Sequence, residues 1–206
     1  MKIHRYITGP LAVNSFLVVD EATNKGFLID PGGADRKLLK FVSDNNVKVE
    51  YIVLTHGHGD HICGLKAYQN AWPDAKVIAH EEERQLLLDA KMNHSTVTCG
   101  YGLSITADRY VKDGEQISVG ELTVNFLFTP GHTPGGMSVY VGDCVFSGDT
   151  LFAGSVGRTD FPGSSFSALK RSIEDKLYVL PANTRVYPGH MDYTTIGTEK
   201  EQNPFV

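Results

Sequence analysis

Apolar and polar positions alternate along both halves of the chain, and the pattern predicts a strand-rich protein. Residues 2–7 and 12–19 alternate or run apolar and are joined by Gly9-Pro10, which indicates an opening hairpin. A third strand is predicted at 25–30, and apolar residues at helical spacing predict a helix at 35–45. Further strands are predicted at 51–54, 76–79, 109–112, 115–119, 121–129, 137–141, 143–147 and 185–187, and further helices at 65–72, from 80 to about 89, and at 166–177.

Each half of this pattern gives strands, then a helix, then a strand. Two sheets packed together, each covered by helices on its outer face, would bury all of these elements in layers. The sequence therefore predicts a mixed α/β (α+β) protein. Residues 90–108 are polar and weakly periodic, and a long irregular stretch inside a compact domain is usually functional or mobile. Residues 148–165 are predicted as a long Gly-rich loop.

Composition narrows the function classes. The 206 residues are 41% hydrophobic and 21% charged, which is ordinary for a globular protein. A net charge of -5 argues against a general nucleic-acid binder, which would normally show a basic footprint. No apolar run approaches the length of a membrane span, and the N-terminus lacks the apolar core of a signal peptide, so we expect a cytoplasmic protein.

The three cysteines are few, odd in number and far apart in the sequence, so they do not indicate a disulfide framework. They fit a reducing compartment. We expect Cys63 and Cys144 to be small buried apolar residues. Cys99, on the irregular stretch, receives no assignment. His4, His80 and His94 stand outside any motif and are predicted to be ordinary surface or loop residues.

A loop dense in candidate ligands follows the apolar run at 51–54, and it reads Thr55-His56-Gly57-His58-Gly59-Asp60-His61. Its two glycines let the backbone turn sharply and offer several side chains to one point. Imidazole nitrogen and carboxylate oxygen are ligands that zinc and similar metals accept. Histidines two positions apart in an extended segment point the same way, whereas a helical zinc motif places them four apart. The segment therefore predicts a metal loop at a strand end.

Three more predicted strands also lead into a candidate ligand. These ligands are His132 after the 121–129 strand, Asp149 after the 143–147 strand and His190 after the 185–187 strand, and each directly follows a glycine. Because strand ends in a sandwich meet at one edge, the four junctions can present seven ligands to one place.

Four motifs at these junctions are His56-Gly57-His58-Gly59-Asp60-His61, Gly131-His132-Thr133, Gly148-Asp149-Thr150-Leu151-Phe152 and Pro188-Gly189-His190. Together they resemble the metallo-β-lactamase fold superfamily, and within it the short single-domain members of the glyoxalase II (hydroxyacylglutathione hydrolase) branch. Gly157-Arg158-Thr159-Asp160 and the tail from Glu199 to Phe205 add to the resemblance. It covers essentially the whole chain and implies one domain, residues 1–206, folded as a four-layered αββα sandwich.

The resemblance implies two divalent metal ions, most simply zinc, with iron or manganese as alternatives. One metal would be held by His56, His58 and His132, the other by Asp60, His61 and His190, and Asp149 would bridge them. Two metals about 3.5–4 Å apart can share a carboxylate in this way. Asp60 and Asp149 are accordingly expected to be catalytic as well as ligating. The alternative is that Asp60 orients a histidine beside a single metal.

The resemblance further implies a hydrolase that cleaves a thioester of a small thiol with metal-activated hydroxide. A thiolate is a fair leaving group, since thiol pKa values lie near about 8.5, so no strong general acid is needed. Full-length glyoxalase II enzymes carry a C-terminal helical domain that grips glutathione. Only Met191 to Val206 follow His190 here, so we expect that domain to be absent and leave the identity of the thiol open.

Two residues are candidate substrate contacts. Arg158 could bind an anionic group of the substrate, or it could brace the Gly-rich loop through Asp160. Tyr101 lies on the 90–108 stretch, which either walls the substrate cleft or is a mobile surface loop. The expected partner is a small-molecule thioester, with neither nucleic acid nor membrane involved.

Other functions share these motifs. Persulfide dioxygenases have a similar fold and similar motifs, and they use one iron and molecular oxygen. The segment 157–161 is compatible with this class as well. The motifs around Asp149 and His190 look more like those of the hydrolase branch. Lactonases and RNA-processing members share the ligands too, and the acidic charge balance disfavours the latter. A non-catalytic member would be expected to have lost ligands, whereas none is missing here.

Overall fold

Two six-stranded sheets form the centre of the protein in the computed structural model, which describes residues 1–206. The first sheet contains β1 (Lys2–Thr8), β2 (Val13–Val19), β3 (Lys25–Ile29), β4 (Lys48–Val53), β5 (Lys76–His80) and β6 (Arg109–Val111), in that spatial order. β1, β2 and β3 pair antiparallel, and β3 to β6 pair parallel. The predicted opening hairpin is confirmed, with Thr8 opposite Val13.

The second sheet is built from the other half of the chain. It contains β7 (Gln116–Val119), β8 (Leu122–Phe128), β9 (Met137–Val141), β10 (Cys144–Gly148), β13 (Arg185–Pro188) and β14 (Thr194–Thr195), in the spatial order β14-β13-β10-β9-β8-β7. Only β10 and β13 pair parallel. A separate small hairpin, β11 (Leu151–Phe152) and β12 (Ser155–Val156), lies between β10 and β13 in the chain.

Helices cover the outer faces of both sheets. They are α1 (Arg36–Asp44), α2 (Gly59–Ile62), α3 (Leu65–Ala71), α4 (Arg84–Leu88), α5 (Ser95–Thr98), α6 (Phe166–Ser172) and α7 (Ile196–Gln202), and a 3-10 turn, Glu81–Glu83, precedes α4. α1 begins where the sequence places a cap, because the Asp35 carboxylate accepts hydrogen bonds from the backbone N–H groups of Lys37 and Leu38. None of the helices combines the length and apolar character needed to cross a membrane.

Three apolar clusters fill the spaces between these layers. The central cluster joins the two sheets and includes Phe16 and Phe27 from the first with Phe126 and Val139 from the second. A second cluster packs α1 and α3 against the first sheet, and a third packs α6 and α7 against the second sheet. The layer order is therefore helix, sheet, sheet, helix, and the predicted αββα sandwich is confirmed.

The stretches predicted as irregular contain short elements that the sequence did not reveal. α5 lies within 90–108, the β11–β12 hairpin lies within 148–165, and β14 and α7 form the tail. The tail is ordered by the buried side chain of Glu199, whose carboxylate accepts hydrogen bonds from the Gly154 N–H and the Thr194 hydroxyl. The helix predicted at 166–177 is α-helical only to Ser172 and continues as a π-helical turn over Ile173–Leu177.

The cysteine prediction is wrong. Cys63 and Cys99 form a disulfide across 36 positions of sequence, and only Cys144 is a free, buried thiol, as expected for that residue. The pairing follows from the approach of α2 to α5, where the Gly59 N–H donates to the Asn93 carbonyl at 2.6 Å. The expectation of unpaired thiols, and the reducing compartment inferred from it, therefore lose their basis.

Reducing this disulfide should destabilise the protein. Closing a loop of 36 positions restricts the unfolded chain, so its loss should lower the free energy of unfolding by about 4 kcal/mol. Urea unfolding of chelator-treated protein, with and without a phosphine reductant, measures the effect. A Cys63→Ser/Cys99→Ser double variant is the control, and its unfolding midpoint should not change when the reductant is added. An unchanged wild-type midpoint would contradict the prediction.

Candidate metal centre

All seven predicted ligands meet at one edge of the sandwich. The loop after β4 and the short helix α2 supply His56, His58, Asp60 and His61, the turn after β8 supplies His132, and the ends of β10 and β13 supply Asp149 and His190. His56 and His61 are almost completely buried, while His190 is partly exposed. The residues that follow the four strands therefore lie together, as the strand-end argument predicted.

A first triad consists of three imidazoles. One ring nitrogen from each of His56, His58 and His132 lies within 4.8 Å of the others. His58 Nδ1 and His132 Nε2 are 2.9 Å apart. The other nitrogen of His132 is engaged by the protein, since Nδ1 lies 2.8 Å from the Arg158 carbonyl and donates to it. That bond directs the unprotonated Nε2 toward the triad.

A second triad combines a carboxylate with two imidazoles. Candidate ligand atoms of Asp60, His61 and His190 also lie within 4.8 Å of one another. Asp60 Oδ2 is 3.2 Å from His190 Nε2 and 3.7 Å from His61 Nε2. A mixed oxygen and nitrogen set of this kind suits zinc or iron.

Asp149 lies between the two triads. Its Oδ1 is 3.4 Å from His61 Nε2, and its Oδ2 is 3.7 Å from both His132 Nε2 and His190 Nε2. One carboxylate therefore reaches nitrogens of both sets. This is the geometry expected of a carboxylate shared by two metals.

Glycine lets the strand ends approach this closely. A Cβ atom on Gly189 would lie 2.4 Å from Asp149 Oδ1 and 2.7 Å from His61 Cε1, inside the space of the cluster. Gly148 has φ +50°, a backbone conformation that residues with a Cβ rarely adopt. Its backbone lies against Thr55. Both glycines precede a candidate ligand, which explains their position in the sequence.

Two imidazoles of the first triad, those of His56 and His58, favour the neutral form. Burial lowers the pKa of His56 well below its ordinary value, and the rings of His61 and His132 lower it further. Burial also lowers the pKa of His58 to about 3, again with help from His132. Protons therefore do not compete for these lone pairs at neutral pH, which suits metal binding.

In the second triad, neighbouring carboxylates favour the protonated form of His61. Burial alone would lower the pKa of His61, but the carboxylates of Asp149, Asp60 and Asp30 raise it well above its ordinary value. Burial likewise opposes ionisation of Asp149, yet His61 and the other imidazoles hold the pKa of that carboxyl below its usual range. The cluster thus stabilises positive charge among its carboxylates, and a metal cation can replace the proton.

Unpaired polar atoms show that a cation fits here. His56 Nε2, His61 Nε2 and Asp149 Oδ1 are buried and have no hydrogen-bond partner in the protein. Buried polar groups nearly always have a hydrogen-bond partner, so three unpaired atoms in one cluster need an explanation. All three atoms belong to the candidate ligand set, and metal coordination would satisfy them.

Asp30 is a functional residue that the sequence did not reveal. It directly follows β3, has φ 48° and is 1% exposed. Its Oδ2 accepts hydrogen bonds from His61 Nδ1 at 2.9 Å and from the Thr55 hydroxyl at 2.6 Å. The same hydroxyl lies 3.1 Å from His56 Nδ1. Asp30 therefore orients one histidine of each triad, and its own oxygens are occupied by these bonds and by the Thr55 N–H.

A cavity of about 410 Å³ opens above the cluster. Its walls are apolar at Leu11, Val97, Phe152 and Phe161, and its floor includes Asp60 and Asp149. His94 also lines it, packed 5.0 Å from the Phe161 ring between centroids, so the expectation of an ordinary loop histidine misses this placement. α5 carries Val97, and the 90–108 stretch therefore walls the cavity.

The two candidate substrate contacts differ in position. Arg158 lines the cavity, but its guanidinium pairs with the exposed Asp160 at 2.7 Å and stacks over Phe161, which is the bracing alternative. Tyr101 is not among the lining residues, and its hydroxyl donates to the Cys63 carbonyl at 3.2 Å. Tyr101 thus braces α2 from outside the cavity.

Of the two other histidines, His80 departs from expectation. It is 4% exposed and stacks on Phe128 with ring centroids 4.1 Å apart. Its location at the end of β5, where the chain enters the 3-10 turn, explains the burial. His4 is partly exposed and packs against Phe41 at the surface of the first sheet.

Comparison with known proteins gives one consistent family. A family model described as the Metallo-beta-lactamase superfamily matches residues 8–190. Probable metallo-hydrolase YqgX of Bacillus subtilis is 36% identical, covering 100% of this chain and 98% of that protein. Hydroxyacylglutathione hydrolase GloC of Haemophilus influenzae is 32% identical, covering 94% of this chain and 92% of that protein.

Solved structures agree with this similarity. The crystal structure of BLEG-1 B3 metallo-beta-lactamase has a TM-score of 0.91 and 33% sequence identity, covering 99% of both chains. The structure of TTHA1623 in a di-iron-bound form has a TM-score of 0.85 and 35% identity, covering 98% of this chain and 100% of that chain.

Removing the shared carboxylate should affect both candidate sites. We expect Asp149→Ala to lose metal at both positions, because its oxygens reach both triads, whereas His190→Ala should weaken only the second. Metal analysis after equilibrium dialysis measures this directly. Normal metal content in Asp149→Ala would contradict the bridging role, and equal loss of both metals in His190→Ala would contradict the partition.

Replacing Asp30 should weaken metal binding without removing a ligand. In Asp30→Asn one acceptor oxygen becomes a donor, so the side chain can no longer accept from all three of His61 Nδ1, the Thr55 hydroxyl and the Thr55 N–H. We expect the metal dissociation constants to rise by about 10- to 100-fold. Competition with a chromogenic chelator gives the measurement. Asp35→Asn, which alters the partly exposed cap of α1, is the matched control and should retain wild-type affinity.

Proposed function

Because this chain is a metallo-hydrolase of the metallo-β-lactamase superfamily, we propose that it uses two divalent metals to hydrolyse a thioester of a small thiol. The observation that carries the proposal is Asp149, whose oxygens reach nitrogens of both triads at the floor of a cavity large enough for an acyl chain. The 32% identity to a hydroxyacylglutathione hydrolase supports the choice of a thioester. Zinc is our first choice of metal, and iron is the next.

Bound metals would supply a Lewis acid and a water of lowered pKa. His56, His58 and His132 would hold the first metal, Asp60, His61 and His190 the second, and Asp149 both. Asp60 is also placed to act on the attacking water. Burial opposes its ionisation, but the neighbouring His61 and His190 lower its pKa, so it is a carboxylate at neutral pH. It can therefore accept a hydrogen bond from that water and orient it toward the cavity.

The residues outside the cluster suit a leaving group that departs as an anion. Outside the candidate ligands, the ionisable side chains that line the cavity are His94 and Arg158, and Arg158 is already paired with Asp160. A thiolate leaves without a donated proton more readily than an alkoxide, since thiols ionise near pH about 8.5. The site thus matches thioester cleavage better than cleavage of an ordinary ester.

The cavity walls suggest how the substrate lies. Leu11, Val97, Phe152 and Phe161 offer apolar contacts, and Phe161 also packs against His58 with ring centroids 5.0 Å apart. These side chains form an apolar surface against which the acyl chain of a substrate can pack. An acyl group against these walls would place its carbonyl above Asp149.

Hydrolysis of S-lactoylglutathione by zinc-loaded protein tests the proposal. We expect thiol release that stops on chelation and falls at least about 100-fold in Asp149→Ala, since loss of a transition-state electrostatic group typically costs this much. The oxygen-ester analogue should react much more slowly. Lys40→Ala, an exposed change on α1, is the control and should retain activity.

The alternative function predicts a different result. If zinc-loaded protein released no thiol from any small-thiol thioester, while the iron form consumed oxygen in the presence of a persulfide, the hydrolase proposal would fall. That outcome would favour the dioxygenase alternative.

A further inference from the structure

Each candidate metal site draws its ligands from both sheets. The first site takes His56 and His58 from the loop after β4 and His132 from the turn after β8. The second takes Asp60 and His61 from α2 and His190 from the end of β13. Zinc-ligand bonds are about 2.0–2.2 Å long, so a small shift of one loop relative to the other breaks a site. Something must hold each pair of loops in register.

At the first site, the side chain of Glu83 joins the two loops. Glu83 ends the 3-10 turn after β5 and is 0% exposed. Its Oε1 accepts the Gly57 N–H at 2.7 Å, and its Oε2 accepts the Gly135 N–H at 2.7 Å. Gly57 lies between His56 and His58, and Gly135 lies three positions after His132. One carboxylate therefore ties the two ligand-bearing segments together.

Holding this carboxylate in the interior is costly. Burial raises the pKa of Glu83 to about 7, although the N–H groups of Gly57 and Gly135 act in the opposite direction. No lysine or arginine pairs with it among the ion pairs of the structure. A buried acid without a cationic partner contributes little to stability, and buried ionic groups of this kind are better explained by structural specificity.

At the second site, Asn14 ties the turn that bears His190 to β2 of the first sheet. Asn14 is on β2 and is 1% exposed. Its Nδ2 donates to the Pro188 carbonyl at 2.9 Å and to the Met191 carbonyl at 3.0 Å, and its backbone N–H donates to the Gly189 carbonyl at 2.7 Å. These three bonds surround His190. The amide is fixed in orientation because its Oδ1 accepts a bond from Arg5 Nε at 2.8 Å.

We propose that Glu83 and Asn14 are positioning residues, each of which sets the ligand geometry of one metal site independently of the other. Glu83 holds the His56–His58 loop against the His132 turn, and Asn14 holds the His190 turn against the first sheet. The inference rests on the two-metal assignment made above for the proposed function. Neither residue touches a reacting atom.

Matched variants separate the two roles. Glu83→Gln keeps the shape but turns one oxygen into a donor that faces an N–H group, so the dissociation constant of the first metal should rise about 10- to 100-fold while the second is unchanged. Asn14→Leu keeps a similar shape and removes the two side-chain donors, so it should weaken the second metal alone. Each variant is the control for the other.

Cobalt substitution identifies which metal is lost. Titration with Co²⁺, followed by absorption and metal analysis, gives both the stoichiometry and the spectrum of the remaining ion. Glu83→Gln should match the reference variant His58→Ala, and Asn14→Leu should match His190→Ala. Thermal unfolding of the metal-free proteins shows whether the variants remain folded. Equal loss of both metals, or a lowered unfolding temperature with unchanged metal affinity, would overturn the inference.

Charge and position can also be distinguished. Glu83→Asp keeps the negative charge but is one methylene too short to reach both N–H groups, so it should lose the first metal as Glu83→Gln does. Wild-type affinity in Glu83→Asp would show that only the charge matters and would overturn the positioning role. The wild type provides a separate check: binding of fewer than two Co²⁺ would refute the two-metal assignment itself, whatever the variants do.

Discussion

The apolar layer between the two sheets governs where every candidate ligand lies. Phe16, Phe27 and Phe126 are among its largest buried side chains, and close packing of such residues leaves little freedom for one sheet to slide over the other. Four strand ends then project over one edge in fixed relation. The candidate ligands lie on short turns after buried strands or on the short helix α2, so a rigid scaffold positions side chains that loops alone would leave mobile.

Polar groups at this edge fall into two kinds. Asp30 and Glu83 have their hydrogen-bonding capacity filled inside the protein, by His61 and Thr55 in one case and by backbone N–H groups in the other. His56 and Asp149, in contrast, keep buried atoms without partners. The first kind fixes the frame, and the second kind is left available for a cation. Unpaired polar atoms in a buried network are costly, so a cation that satisfied the second kind would stabilise the cluster.

The convergence of the candidate ligands was predictable because its signals are local. An apolar run followed by a glycine and a histidine or aspartate can be recognised within a few residues, as at His132 and His190, and the resemblance to a known family then supplied the partition. The residues that support the ligands gave no such signal. Glu83 is the last of three consecutive glutamates that the sequence cannot distinguish, and only the tertiary fold buries that one.

Long-range contacts set the other limits of prediction. The local sequence around Asp30 indicates only a strand end. Its hydrogen bond to His61 spans 31 positions and therefore leaves no local signal. The Cys63–Cys99 bond was missed for the same reason, since α2 and α5 approach only in the folded chain. The longer strands and helices, in contrast, followed from local periodicity. The exceptions are the short elements α5, β11, β12, β14 and α7, and the π-helical turn that replaced the last turns of the helix predicted at 166–177.

Because each triad spans the two sheets, a metal bound there is also a cross-link between the halves of the sandwich. Such an ion binds the folded chain far better than the unfolded chain, so mass action couples folding to metal supply. At a free metal concentration 100 times the dissociation constant, each site would add about 2.7 kcal/mol to the free energy of unfolding. The fraction of chains that stay folded would then follow the metal content of the surroundings, and scarcity of the ion would remove the protein as well as its activity.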